Sequence, residues 1–253
     1  MNNLNRIPRR EFLGLTAAAG ALPFMNPVGF LLSPVNAHLE ARPAGAPAGS
    51  VATGERALGV GSDRDGFLYV PRGCDPNRAA PLAVMLHGAG RRAQNMNFAY
   101  PLADELGVVI LAPDSRGRTW DGIVGQTGPD VDFIDAALKS VFVRIRVNPS
   151  RLALGGFSDG ASYALSLGFA NGDLFTHVMA LSPGFIPPNP RRGKPRVFVS
   201  HGTQDQVLPI DATSRVITPE LKAEGYNVLY REFDGPHRVL PEIVREESEW
   251  FVK

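Results

Sequence analysis

The sequence has few cysteines, little excess charge and no long apolar run in its main part, and each shortage excludes a class of protein. Its 253 residues include one cysteine, Cys74, which excludes an internal disulfide framework and a cysteine-based zinc site. Basic residues number 26 and acidic residues 25, a net charge of +1, so no nucleic-acid partner is expected. No run of about 18 apolar residues follows the N-terminus, and no stable membrane insertion is predicted. The 44% of hydrophobic residues is sufficient for a large core.

Residues 1–37 have the order of an export signal. Arg9 and Arg10 precede a moderately apolar run over residues 12–24, and small residues lead to a predicted cleavage site after Ala37. The paired arginines resemble the twin-arginine (Tat) export signal. The resemblance implies that the export machinery of that system is a partner of the precursor, and that the protein is periplasmic or extracellular. A short packed or anchoring helix is the alternative, which Pro23, Pro27 and Pro34 disfavour.

The rest of the chain divides into a linker and one domain. Residues 38–54 are rich in Ala, Pro and Gly, a composition typical of a linker. In residues 55–253, short apolar runs alternate with helical patterns, which predicts an α/β fold with a mostly parallel sheet and helices on both faces. The predicted strands cover residues 66–70, 81–87, 107–112, 151–155, 177–181, 196–200 and 226–230. The predicted helices cover residues 130–146, 161–169, 211–223 and 241–252.

Gly156-Phe-Ser158-Asp-Gly160 is the strongest local signal of chemistry. It follows a predicted strand and precedes a predicted helix, the context that a nucleophile elbow requires. A serine at the tip of so sharp a turn adopts strained backbone angles, so the residues two positions away must be very small. Ser158 is therefore the candidate nucleophile.

A serine hydroxyl needs a base to take its proton. Of the five histidines, His237 lies on a loop at the carboxyl end of the last predicted strand, which favours it as the general base. We interpret His87 and His201, which also end strands, as side chains that brace loops. The base in turn needs a carboxylate that orients it.

Asp205 follows a predicted strand at the functional edge of the sheet and is the favoured carboxylate. Asp234 and Asp211 remain alternatives, the first as a turn residue near the base and the second as a helix N-cap. Backbone N–H groups favour oxyanion stabilisation because their dipoles are fixed before charge develops. One donor is expected at Asp159, and the second at Ala89, with Gly90 as the close alternative.

These motifs together carry a resemblance to a known family. The segments 86–90, 156–160, 201–209 and 235–237 (LHGAG, GFSDG, HGTQDQVLP and GPH) resemble the α/β-hydrolase superfamily over about residues 65–253. They are most similar to the small phospholipase/carboxylesterase group, with kinship to polyhydroxybutyrate depolymerase-like and feruloyl esterases. The resemblance implies the α/β-hydrolase fold and triad roles for Ser158, Asp205 and His237. The sequence departs from many members of that group in one respect, since Asp159 stands where they have Gln.

The sequence also suggests how a substrate is bound. Residues 182–194 are too few for a cap domain, so an open cleft is expected, and Trp120, Phe185 and Ile186 are candidate substrate contacts. The leading hypothesis is a serine carboxylic-ester hydrolase that forms an acyl-enzyme on a small or polymeric ester and needs no cofactor or metal. The alternatives are a serine peptidase or thioesterase, or a non-catalytic ligand-binding protein on a hydrolase scaffold.

Overall fold

A computed structural model describes residues 37–43, 52–61, 63–126 and 128–253. In this part of the chain one sheet has the strand order β1-β2-β4-β3-β5-β6-β7-β8. The strands are Gly54–Ala57 (β1), Gly66–Val70 (β2), Ala80–Leu86 (β3), Val109–Pro113 (β4), Val147–Phe157 (β5), His177–Leu181 (β6), Arg196–Gly202 (β7) and Val228–Phe233 (β8). β1 and β2 are antiparallel to their neighbours, and all pairs from β4 to β8 are parallel.

Helices cover both faces of this sheet. The α-helices are Tyr100–Leu106 (α1), Pro129–Phe142 (α2), Asp159–Ala170 (α3), Ser214–Ala223 (α4) and Pro241–Val252 (α5). Alternate side chains of β3 point to opposite faces: Leu82 and Val84 join the core cluster of α2 and α3, whereas Ala83 and Met85 join that of α1 and α5. The predicted α/β architecture with helices on both faces is confirmed.

The parallel strands bring the candidate residues to one edge. β3, β5, β7 and β8 all end at the same side of the sheet, because parallel strands share one direction. His87 follows β3 and Ser158 follows β5, and these two strands are direct neighbours. Asp205 and His237 follow β7 and β8, which are also neighbours. Residues 182–195, all of them described, connect β6 to β7 without a helix or strand.

Residues 37–43 pack against the domain. Leu39 is fully buried, and its main-chain N–H donates to Asn171 Oδ1 at 2.7 Å. Asp135 Oδ1 accepts two further main-chain N–H groups of this segment, each at 2.7 Å. The prediction of a linker is therefore wrong for residues 38–43, because the alternate side chains of Ala37, Leu39 and Ala41 are buried and side chains of the domain accept the main-chain N–H groups of the segment.

The remaining N-terminal predictions lie mostly outside the described residues. The predicted export signal covers residues 1–37, of which residues 1–36 are not described and Ala37 is buried. Within the predicted linker, residues 44–51 are not described, and β1 already begins at Gly54. No helix in the described ranges is both long and apolar enough to cross a membrane.

Candidate active site

Ser158 occupies a strained turn between β5 and α3. Its φ of 58° and ψ of −122° lie in a region that side-chain-bearing residues rarely adopt. A Cβ on Gly156 would come within 2.5 Å of the Gly160 carbonyl carbon, and a Cβ on Gly160 would overlap the Leu86 carbonyl oxygen. Both flanking positions therefore require glycine, as the sequence pattern predicts. The turn leaves the Ser158 side chain half-buried at the carboxyl edge of the sheet.

Asp205 and His237 are joined by a short hydrogen bond. His237 Nδ1 lies 2.5 Å from Asp205 Oδ2, and the carboxylate is fully buried while the imidazole is 13% exposed. Asp205 Oδ1 also accepts the main-chain N–H groups of Val207 and Leu208 at 2.9 and 2.8 Å. Burial alone would raise the pKa of Asp205, but these N–H groups and His237 outweigh it and lower that pKa below its ordinary value. An ionised Asp205 accepts the Nδ1 proton and leaves Nε2 as the basic nitrogen.

His201 is a second imidazole on the same carboxylate. Its Nε2 lies 2.8 Å from the Leu208 carbonyl oxygen and 3.1 Å from Asp205 Oδ2. Both are acceptors, so Nε2 carries the proton and Nδ1 accepts from Ser214 Oγ at 2.7 Å. Burial lowers the pKa of His201, which keeps it neutral. The interpretation of His201 as a brace is confirmed, although its contact with Asp205 was not expected from the sequence.

His237 lies beside the Ser158 turn. Its ring centroid is 4.6 Å from that of Phe157, the residue directly before the serine. Among the described residues, no hydrogen bond joins the Ser158 hydroxyl to the His237 imidazole. The structure thus brings Asp205 and His237 into contact and places the His237 ring against Phe157, the residue before the serine.

The loop after β3 lies against the same turn. A Cβ on Gly88 would be 3.4 Å from the Cβ of Ser158, so this loop approaches the Ser158 side chain closely. The Gly90 N–H donates to the Arg118 carbonyl at 2.7 Å, whereas within the described ranges no acceptor faces the N–H of Ala89 or Asp159. Of the two loop positions that the sequence left open, Ala89 is the one with a free donor.

The His87 side chain connects this loop to the loop after β4. Its Nδ1 lies 2.8 Å from the Gly88 carbonyl oxygen, and its Nε2 accepts the Ser115 N–H at 3.0 Å. The ring is fully buried, and burial lowers its pKa. A neutral His87 that connects two loops confirms its interpretation as a brace.

Three consecutive residues after β4 connect both sides of the candidate oxyanion site. The Arg118 carbonyl holds Gly90, and Thr119 Oγ1 donates to Asp159 Oδ2 at 2.6 Å. Trp120 Nε1 donates to the His87 carbonyl at 2.8 Å. The carboxylate at position 159 therefore anchors the neighbouring loop. No sequence motif indicated this role for Thr119.

Trp120 is an anchor and not a substrate contact. Its side chain is fully buried and stacks on Tyr163, with ring centroids 5.5 Å apart and an interplanar angle of 12°. The prediction that Trp120 contacts substrate is wrong, because the indole N–H turns inward to a main-chain carbonyl. The Trp120 side chain lies between His87, which follows β3, and Tyr163 of α3.

A cleft of about 990 Å³ opens beside His237. It runs between the α1 region and the start of α5, and its walls are mostly apolar. The lining residues are Gly88, Arg91, Asn95, Met96, Phe98, Pro101, Leu102, Glu105, Phe157, His237, Arg238, Val239, Pro241, Glu242, Val244 and Arg245. Phe185, which is exposed, and Ile186, which lines a separate smaller cavity, are not among them. Their predicted contacts with substrate stay predictions.

The described residues contain no group of three or more His, Cys, Asp or Glu side chains placed to hold a metal ion.

A model of the phospholipase/carboxylesterase family matches residues 122–249, which is half of the chain. The chain belongs to this phospholipase/carboxylesterase family. The matched range contains Ser158, Asp205 and His237.

Named relatives agree with this family. A probable feruloyl esterase C of Aspergillus clavatus is 29% identical over 58% of this chain and 57% of its own length. An acyl-protein thioesterase 1 of Emericella nidulans is 33% identical over 49% of this chain and 63% of its own length. The chain spans about half the length of the curated esterases that it matches.

Solved structures share the fold. An S-formylglutathione hydrolase from Staphylococcus aureus superposes with a TM-score of 0.65 at 15% identity, over 83% of this chain and all of that one. This likeness shows the α/β-hydrolase fold, with its eight-stranded, mostly parallel sheet.

Proposed function

We propose that the protein is a serine carboxylic-ester hydrolase that works through an acyl-enzyme. The observation that carries the proposal is the 2.5 Å hydrogen bond between Asp205 and His237 beside the strained turn of Ser158. Membership of the phospholipase/carboxylesterase family supports it. The same arrangement on a sheet edge with an adjacent apolar cleft suits an ester that has an apolar acyl or aryl part.

In the proposed mechanism, Ser158 Oγ attacks the ester carbonyl carbon while His237 Nε2 takes the hydroxyl proton. The N–H groups of Ala89 and Asp159 donate to the oxyanion of the tetrahedral intermediate. This intermediate collapses to the acyl-enzyme as the alcohol leaves with the proton from His237. A water molecule then attacks the acyl carbonyl while His237 takes its proton. The second tetrahedral intermediate collapses, His237 returns the proton to Ser158 Oγ, and the carboxylic acid is released. Asp205 stays ionised and stabilises the imidazolium.

The test is hydrolysis of p-nitrophenyl acetate and butyrate by the purified protein. We expect activity that Ser158→Ala abolishes and that the matched control Ser140→Ala, on the distant helix α2, retains. A fluorophosphonate probe should label the wild type and not Ser158→Ala. An unchanged hydrolysis rate in Ser158→Ala overturns the proposal, and failure of the probe to label the wild type favours a non-catalytic binding protein.

A thioesterase is the second candidate, favoured by the acyl-protein thioesterase 1 relative. The same acyl-enzyme chemistry cleaves oxygen and sulfur esters, because only the leaving group differs. A panel of feruloyl, butyryl and acetyl oxygen esters and the corresponding thioesters distinguishes the two. Higher kcat/KM for thioesters across all acyl groups would select the thioesterase.

We also propose that the precursor is exported by the twin-arginine machinery, on the basis of Arg9 and Arg10. Replacement of both arginines by lysine should retain the protein in the cytoplasm. Export that persists in this variant would contradict the proposal.

A further inference from the structure

The cleft beside His237 has mostly apolar walls, but its lining also includes arginines. Met96, Phe98 and Leu102 come from one side of the cleft, and Val239 and Val244 from the other. Walls of this kind bind a hydrocarbon or aryl segment through the burial of apolar surface. Binding of an apolar segment alone does not explain why arginines lie in the same lining.

Three arginines are among the residues that line this cleft, and one of them is neutralised by an ion pair. Arg245 makes a bidentate ion pair with Glu105 at 2.8 and 3.0 Å. Arg91 and Arg238 are exposed, and no carboxylate in the described residues lies within ion-pairing distance of either. Glu242 is the remaining acidic side chain of the lining. The free charges of the cleft are therefore two positive and one negative.

Both free arginines are close in the chain to the proposed catalytic groups. Arg91 lies two residues after Ala89, and its N–H donates to the Gly88 carbonyl at 3.1 Å. Arg238 follows His237 directly. A third exposed arginine, Arg118, has its Nε 3.7 Å from where a Cβ on Gly90 would stand. Three exposed arginines therefore lie on, or contact, the loops that carry the candidate catalytic groups.

We propose that the cleft binds esters that carry a carboxylate, with the apolar part of the substrate against the cleft walls and its carboxylate at Arg91 and Arg238. The proposal rests on the proposed esterase function and narrows its substrate class. Guanidinium groups bind carboxylates in a bidentate manner, and they attract anionic substrates over several ångströms at low ionic strength. An exposed ion pair between an arginine and a substrate carboxylate contributes modestly to binding. Removal of either arginine should therefore lower kcat/KM for the carboxylate-bearing ester by several-fold.

The experiment compares acid and amide versions of the same ester at low ionic strength. One pair places the group on the acyl side, as mono-p-nitrophenyl suberate and p-nitrophenyl suberamate. The other places it on the alcohol side, as the butyrate esters of ω-hydroxycaproic acid and ω-hydroxycaproamide. We expect kcat/KM for the acid to exceed that for the amide by about tenfold in at least one pair, and the ratio to fall towards one in high salt.

Arginine variants test the source of this preference. Arg91→Gln and Arg238→Gln should each lower the acid-to-amide ratio by several-fold, and the double variant should bring it near one. Arg144→Gln is the matched control, because Arg144 is also exposed but follows α2 at the opposite edge of the sheet. It should leave the ratio unchanged.

Two results overturn the proposal. One is an acid-to-amide ratio near one in both substrate pairs, and the other is a ratio that survives in the double variant. Both results can be distinguished from failure of the proposed esterase function. That function is measured separately, as hydrolysis of the neutral esters that carry the amide group and as its loss in Ser158→Ala.

Discussion

In the proposed mechanism, the buried carboxylate of Asp205 orients His237 for its role as general base. An ionised Asp205 fixes the proton on Nδ1 and stabilises the imidazolium. We predict that Asp205→Asn lowers kcat by roughly 10³–10⁴-fold, measured on p-nitrophenyl butyrate. Asp211→Asn and Asp234→Asn replace the other two carboxylates that the sequence allows and should remain close to the wild type. A larger loss in Asp234→Asn than in Asp205→Asn would assign the orienting role to Asp234.

Thr119 is predicted to be a positioning residue for the oxyanion donor at Asp159. Its hydroxyl holds the Asp159 side chain at 2.6 Å, so Thr119→Val leaves that carboxylate without its partner and frees the first turn of α3. Misplaced oxyanion donors weaken binding of the transition state more than that of the substrate. We expect kcat to fall by about tenfold or more with little change in KM.

Thr119→Ser tests this interpretation, because it keeps the hydroxyl and should recover most of kcat. Thermal unfolding of both variants provides the structural control. If Thr119→Ser is as slow as Thr119→Val, the hydroxyl does not position the donor and the lost methyl group accounts for the effect.

A candidate catalytic residue can be predicted from the sequence when its type and its position after a strand together limit the choice. Ser158 is marked by two obligatory glycines, and His237 by its place after the last strand. Two contacts of the site were not predictable in this way. The contact of Asp205 with His201 depends on the rotamers of two nearby side chains. The hydrogen bond between Thr119 and Asp159 joins loops that are 40 residues apart in the chain. No local pattern encodes such contacts. Trp120 shows the same limit, since its position after a strand is compatible with either a buried or an exposed indole.

At the scale of elements, regular and buried segments were predicted best. The bounds of β6 and α5 agree with the sequence prediction at both ends, because an apolar run and an amphipathic repeat define them. β1 and α1 were not predicted. β1 has only four residues at the edge of the sheet, and α1 is a single short helix that continues from a 3-10 turn.

The docked segment 37–43 supports a prediction about stability. Leu39 is fully buried, so Leu39→Ala should lower the free energy of unfolding by about 2–4 kcal/mol, measured by urea denaturation. Val143→Ala is the control, because Val143 is 67% exposed and its truncation should cost under about 0.5 kcal/mol. An effect of Leu39→Ala as small as that of the control would mean that the segment detaches at little cost.

At the scale of the whole molecule, the cleft and a small buried cavity lie on the same face of the sheet and share lining residues. Leu102 and Val244 line the cleft, and they also line a small apolar cavity beneath α5. Glu247 points into that cavity among apolar side chains of the sheet, α1 and α5. It is 2% exposed, and its Oε1 has no hydrogen-bond partner among the described residues. Packing of α5 onto the sheet therefore places a carboxyl group in an apolar environment.

Burial raises the pKa of Glu247 to about 8, against about 4.5 in the unfolded chain. Below pH 4.5 both states hold the proton, and this group makes no difference to stability. As the pH rises from 4.5 to 8, the unfolded chain releases the proton and the folded protein keeps it. The contribution of Glu247 to the free energy of unfolding then falls by up to about 1.4 kcal/mol per pH unit, and it stays at its lowest value above pH 8.

Glu247→Gln isolates this contribution, because the amide has the same shape but does not titrate. Its own burial cost is independent of pH, so the difference in unfolding free energy between the variant and the wild type contains only the titration of Glu247. We predict that this difference increases in favour of the variant between pH 5 and 8 and is constant above pH 8, as measured by urea denaturation at each pH. A difference that does not change with pH would mean that water or a partner group reaches the carboxylate and keeps its pKa ordinary in the folded protein.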